Sequence, residues 1–194
     1  LHLCHHNLEN INDVNNIDND TLLLEVCMAA KYEGNSIETP YTIHKHTNND
    51  SAAELCTVLA RSFADIGDIV RGKDPFYGNT YESAQRIILE KNLQKIFKKI
   101  HGKLKGVKSR YEGDEAKNFL KLRDDWWTAN RSTVWKAITC GTHDGASYFR
   151  ATCSDGQSGA QANHYCRCNG DQPGQDKTNT DPPTYFDYVP QYLR

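Results

Sequence analysis

SAAELCTVLARSFADIGDIVRG, Ser51 to Gly72, is the stretch whose reading decides the fold. Ala52, Leu55, Leu59, Phe63, Ile66 and Val70 recur at steps of three and four and so line one face of a helix. Arg61, Asp65, Asp68 and Arg71 fall largely on the other side. Ser51 and Glu54 have capping-box spacing, in which each side chain satisfies a free backbone N–H at the helix start. Gly72 follows the last apolar residue, a usual stop. Cys56 lies mid-helix, so the helix can be stapled to a distant part of the chain. The first use of such a helix is core packing.

Working outward, a turn-rich connection with Pro75, Gly78 and Asn79 leads to a second helix, Glu82 to about Lys105. Leu89, Leu93, Ile96, Ile100 and Leu104 mark its buried stripe. Its other faces are basic: Lys91, Lys95, Lys98, Lys99 and Lys103, continued by Lys105, Lys108 and Arg110. Lys91, Lys95 and Lys98 share one face, with Lys99 and Lys103 beside them, and Glu90 is the only acid next to Lys91. These eight residues are the candidate binding site. Closely spaced positive charge suits a sulfated or otherwise anionic glycan, and the alternative is a plain solvated face.

A third helix is expected over Glu115 to Cys140, holding Trp126, Trp127 and Trp135. Adjacent tryptophans on a helix diverge by about 100°. One should therefore enter the core while the other meets a neighbouring helix or lies across a surface, where it could serve as a platform for a sugar. Asn130-Arg-Ser132 is an N-glycosylation sequon, as are Asn19-Asp-Thr21 and Asn49-Asp-Ser51. A glycan on Asn130, between tryptophans, would clash with packing.

On the N-terminal side, TLLLEVCMAAKYEG (Thr21 to Gly34) reads as a helix capped by Asp20 or Thr21, buried through Leu22, Val26, Ala29 and Ala30, and ended by Gly34. Asn35 to Asp50, with Pro40, reads as a long exposed loop. Leu3, Leu8, Ile11 and Val14 can form a short amphipathic helix. His5 and His6 point to different faces and suggest no metal. From Gly141 onward helical periodicity stops, and a loop-rich segment with Cys153, Cys166 and Cys168 begins. Pro182, Pro183 and Pro190 bracket an aromatic segment, TYFDYV, that should pack.

The chain has 194 residues, 38% hydrophobic and 25% charged, with a net charge of −2, so the overall balance points to neither nucleic acid nor membrane. Mean hydropathy of −0.74 fits long solvated helix faces and loops. The longest apolar-rich run, Leu22 to Ala30, is broken by Glu25 and is too short to span a bilayer. The seven cysteines are Cys4, Cys27, Cys56, Cys140, Cys153, Cys166 and Cys168. They include no C-x2-C pair, so they favour disulfides in an oxidising setting over a zinc site. The odd count leaves one orphan. Cys4, close to the start, is the natural candidate, with a partner upstream. No nucleophile–base motif, phosphate loop or H-E-x-x-H is present, and no cofactor or metal is expected.

Six segments then argue together: LLLEVCMAAKYEG (Leu22–Gly34), ARSFADIGDIVRG (Ala60–Gly72), DDWWTANRSTVWKAITC (Asp124–Cys140), YFRATC (Tyr148–Cys153), CRC (Cys166–Cys168) and PTYFDYVPQYLR (Pro183–Arg194). In this order they resemble the Duffy-binding-like domain, specifically the alpha type at the head of the malaria parasite's erythrocyte membrane protein 1 family. The resemblance implies a mainly α fold, a disulfide-stapled helical bundle with long loops. It implies part of a first subdomain (1–49), most of a second (50–182) and the first residues of a third (183–194). From the same resemblance the expected bridge is Cys56–Cys153, with Cys27, Cys140, Cys166 and Cys168 bridged in a pairing left open.

The resemblance also implies adhesion rather than catalysis. Such proteins stand on the extracellular face of the infected red cell and bind host erythrocyte carbohydrate or glycoprotein, including heparan-sulfate-like chains and blood-group sugars, in rosetting. Neighbouring domains of the same polypeptide are further partners. Three readings compete. The basic helix binds a glycan, with strong salt dependence. Loops such as Asn35–Asp50 or Gly141–Gln175 bind a protein receptor. Or the fragment is a scaffold for contacts made elsewhere. A fourth, an enzyme, would require fast-reacting free thiols.

Overall fold

The computed structural model describes residues 18–47, 53–74, 80–153 and 159–194. The expected N-terminal helix, Cys4, the His5–His6 pair, the Ser51 cap, the Asn49 sequon and the Pro75–Asn79 turn lie outside these residues. The architecture is mainly α, as the resemblance implied. Four long helices are described: α1 (Asn19–Thr47), α2 (Ala53–Arg71), α3 (Thr80–Lys103) and α4 (Leu120–Ile138). α4 packs on α1, on α2 and more lightly on α3. A two-stranded antiparallel ribbon, β1 (Ala151–Cys153) with β2 (Ala160–Gln161), sits in the loop-rich segment.

The deciding helix forms as its periodicity requires. Leu55, Leu59, Phe63 and Val70 are fully buried, and Gly72 ends the helix at φ +71°. On its charged side Arg61 is exposed, whereas the C-terminal part is covered. Asp68 and Arg71 are 6% and 3% exposed, because the C-terminal segment lies across them. Arg194 reaches Asp65 at 3.1 Å and also bonds Asp68. Arg71 bonds Asp68 at 2.9 Å and the Asp187 carbonyl. Asp187, 1% exposed, accepts from Trp127 Nε1 at 2.9 Å and from Arg131 at 2.7 and 2.8 Å. Each buried charge has an opposite partner, the condition under which charges leave water at tolerable cost. So TYFDYV packs through Thr184 and Asp187, while Tyr185 and Tyr188 stay half exposed.

Three helix boundaries differ clearly from the sequence expectation. α1 starts one turn's cap earlier: the Asp18 carboxylate accepts from the Asp20 and Thr21 amides at 3.1 and 3.0 Å. It then runs through Gly34 to Thr47, so the expected loop after Gly34 is helical. Gly34 is not a stop. A Cβ there would lie 2.0 Å from the Ile138 carbonyl oxygen, so glycine lets α1 cross the end of α4 in close contact. α4 in turn begins at Leu120. Asn118 and Phe119 take left-handed φ of 55° and 61°, separating it from a 3-10 turn at Glu115–Lys117.

Among the described residues the bridges are Cys56–Cys166 and Cys153–Cys168. This corrects the expected Cys56–Cys153 pair. The main-chain turn around Ala146 and Ala162 brings Cys166 to α2: the Cys166 amide donates to the Ala146 carbonyl and Trp135 Nε1 to the Cys166 carbonyl. Cys168, two residues on, then faces β1 and takes Cys153. Cys27 and Cys140 are unbridged, against the expectation that both were bonded. Arg167, between the two bridged cysteines and 3% exposed, donates to Thr139 Oγ1 and to the Lys136 carbonyl, fastening this corner to the end of α4.

Candidate functional site

The basic face is built by α3. Leu89, Leu93, Ile96, Phe97 and Ile100 are buried, with Phe97 edge-on to Trp126 at 6.1 Å. That inward stripe turns Lys91, Lys95 and Lys98 outward as exposed side chains, with Lys103 at the helix end and Lys99 half-buried beside them. By helical rise, Lys91 to Lys103 spans about 18 Å. Lys105 and Lys108 continue the exposed run onto the 3-10 turn Lys108–Tyr111. Arg110 is exposed but pairs with Asp125 at 3.0 Å. Six of the eight candidate residues, Lys91, Lys95, Lys98, Lys103, Lys105 and Lys108, are thus exposed along α3 and the turn after it, whereas Arg110 is paired.

Glu90 does not neutralise this face. It turns inward to the wholly buried Arg123, which donates to its two oxygens at 2.7 and 2.9 Å. Burial pushes the Glu90 carboxyl up, but the Arg123 hydrogen bonds and charge and the Gln94 amide outweigh it and hold the group below its ordinary value. Arg123 also donates to the Val70 and Ile69 carbonyls at the end of α2. The acid that sequence places beside Lys91 is spent on joining α2, α3 and α4. At the far end, Asp18 is held below its ordinary value by the Thr21 amide and hydroxyl, with a smaller contribution from the Lys103 charge.

The tryptophans carry no sugar platform. Trp126, Trp127 and Trp135 are 5%, 0% and 2% exposed. Trp127 packs against Phe63 with its ring tilted and 5.1 Å away, and fills the space left by Gly67, where a Cβ would meet its ring at 2.8 Å. Trp126 donates to Asn19 Oδ1, and Asn130 Nδ2 donates to the Trp126 carbonyl. The side chains of two sequon asparagines, Asn19 and Asn130, are therefore engaged in the fold. The aromatics that do reach the surface are elsewhere, with Tyr192 84% exposed. Among the described residues no cluster of three or more His, Cys, Asp or Glu is placed to hold a metal, and no helix is long and apolar enough to cross a membrane.

The family model described as the Duffy binding domain matches residues 1–194. The chain belongs to the Duffy binding domain family. Among solved structures it is similar to the NTS-DBL1(alpha-1) domain of Plasmodium falciparum membrane protein 1 from the varO strain, with 41% identity and a TM-score of 0.72. That match covers 99% of this chain and 40% of that one. The NTS-DBL1-alpha and CIDR-gamma double domain of the same strain matches at 42% identity and a TM-score of 0.73, covering 99% of this chain and 25% of the other. An ICAM-1-binding PfEMP1 DBLbeta domain matches at 30% identity and a TM-score of 0.70, covering 100% and 39%. The Duffy binding chain described here thus spans two-fifths or less of these structures. No curated protein matches it.

Proposed function

We propose that this Duffy binding chain is part of a cell-adhesion module on the extracellular face of an infected red cell, a binding module rather than an enzyme. In this reading it takes a sulfated glycan such as heparin or heparan sulfate on the α3 face. The observation that supports it is the set of exposed lysines Lys91, Lys95, Lys98, Lys103, Lys105 and Lys108, with the acid next to Lys91 in sequence, Glu90, turned inward to Arg123. Such a face attracts a polyanion and loses it as salt screens the charges. The division of the chain at residues 49 and 182 belongs to the same proposal.

The test is retention on immobilised heparin across a salt gradient, for wild type and a K95E/K98E/K99E/K103E variant, with circular dichroism to show both folded. Wild-type retention well above physiological salt, lost in the variant, supports the glycan site. Equal elution removes it. A second reading, a protein receptor met by the 141–175 loops, draws on one fact: a fold neighbour at 30% identity is an ICAM-1-binding domain. It predicts cell binding that heparin does not block and that the four lysine changes leave intact.

A further inference from the structure

Asn169-Gly170 is the one Asn-Gly step in the 194 residues. It follows Cys168 of the smaller bridge and forms the centre of a tight turn, closed by the Asp171 amide, which donates to the Cys168 carbonyl at 3.0 Å. Asn169 and Gly170 take φ of 56° and 66°, the pair of positive values that a type I′ turn requires. Both residues are exposed, and residue 170 has no side chain to crowd its nitrogen. Among the described residues no main-chain acceptor holds the Gly170 amide. Lys177 is fastened beside this turn by both of its main-chain groups. Its amide donates to Asp171 Oδ1 at 2.5 Å, and its carbonyl accepts from the Lys136 ammonium. Its own ammonium donates to the Asn169 carbonyl at 2.8 Å and lies 3.3 Å from where a Cβ on residue 170 would stand.

The Asn169 carbonyl and the Gly170 nitrogen belong to one peptide group. When solvent base takes the Gly170 amide proton, the negative charge spreads onto that carbonyl oxygen, where a fixed ammonium stabilises it. We propose that Asn169 is a site of spontaneous deamidation, promoted by Lys177. The Gly170 nitrogen attacks Asn169 Cγ, and an N–Cγ bond forms. The Cγ–Nδ2 bond breaks, and Nδ2 leaves as ammonia with a proton returned from the solvent. One water then opens the five-membered imide at either carbonyl, giving aspartate or isoaspartate. Water is the sole co-reactant. The product places a new carboxylate on the 141–175 loops. In the isoaspartate form it also lengthens the main chain by one methylene between bridged Cys168 and buried Asp171. Asn169 lies outside the α3 lysine face, so this inference does not depend on the glycan reading.

The experiment incubates the whole disulfide-bonded chain at body temperature and neutral pH and follows residue 169 by peptide mass spectrometry that separates asparagine, aspartate and isoaspartate. Wild type is compared with K177M, which removes the cation, and K177R, which keeps it. The changed side chain is exposed, and circular dichroism checks that each variant is folded. The same chains, reduced and held in urea, supply the rate without the fold. In the folded chain, wild type and K177R should convert at Asn169 while Asn35 and Asn179 stay intact. K177M should convert about tenfold more slowly, the effect of one charge-assisted hydrogen bond. In urea, wild type and K177M should convert alike. Four outcomes overturn the proposal: no conversion at Asn169 in the folded chain, K177M converting as fast as wild type or faster, K177R as slow as K177M, or a difference between wild type and K177M that persists in urea.

Discussion

Gly34 shows how much one missing methyl group decides. Its α-carbon faces the backbone of Ile138, where a Cβ would meet the carbonyl oxygen at 2.0 Å. Gly34→Ala gains about 1 kcal/mol of helix propensity but must push α1 off α4, so the expected net loss is about 2–4 kcal/mol. A urea midpoint shifted upward by the substitution would show that the crossing is not tight. Sequence reading took this glycine for a helix end, since a contact glycine and a stop glycine look alike until the partner helix is known. The unbridged cysteines make a second residue-scale case. Burial pushes the Cys27 thiol up to about 11, leaving about one thiolate in a thousand at pH 8, whereas Cys140 is exposed. Site-resolved alkylation should label Cys140 first and Cys27 slowly. Fast labelling of Cys27 would contradict the packing of α1.

At the scale of elements, the helices were legible wherever an apolar stripe met the core, as in Leu89, Leu93, Ile96 and Ile100 of α3. Their ends were less so, because caps and left-handed turns depend on one or two residues with several compatible uses. Asp18, rather than Asp20 or Thr21, caps α1, and the carboxyl is held below its ordinary value by Thr21. A depressed carboxyl contributes stability that is complete above the unfolded value and is lost as pH falls through the folded one. The same sign holds for Glu90, which joins α3 to Arg123. Acidification below about pH 4 should therefore raise hydrogen exchange first at the start of α1 and at the α3–α4 contact. Asp18→Ala should reproduce the first effect at neutral pH and leave the second unchanged. Uniform exchange along α1 in that variant would argue against the cap. The candidate lysines were legible as a pattern. That Glu90 turns away from them was not, because its partner Arg123 is distant in sequence.

For the whole molecule, the two bridges close loops of very different size, with separations of 110 and 15 residues. On the chain-entropy account they contribute about 4–5 and about 3 kcal/mol. Replacing Cys56 and Cys166 by alanine should therefore cost more stability than replacing Cys153 and Cys168. The reverse order in paired denaturation curves would mean that the smaller bridge holds the corner on which the larger depends. Pairing was not legible beforehand, since six cysteines admit fifteen pairings and a one-residue gap between Cys166 and Cys168 sends the two to different partners.

The Cys56–Cys166 bridge also sets where tension travels. A force applied between the chain before residue 56 and the chain after residue 166 crosses from one to the other through one sulfur–sulfur bond. α3, α4 and the lysine face all lie inside that loop, so tension in the chain outside it does not extend them. The 110-residue separation withholds about 36–40 nm of chain from extension. While the bridge stands, the surface that would grip a partner keeps its shape as the strand outside it is drawn taut.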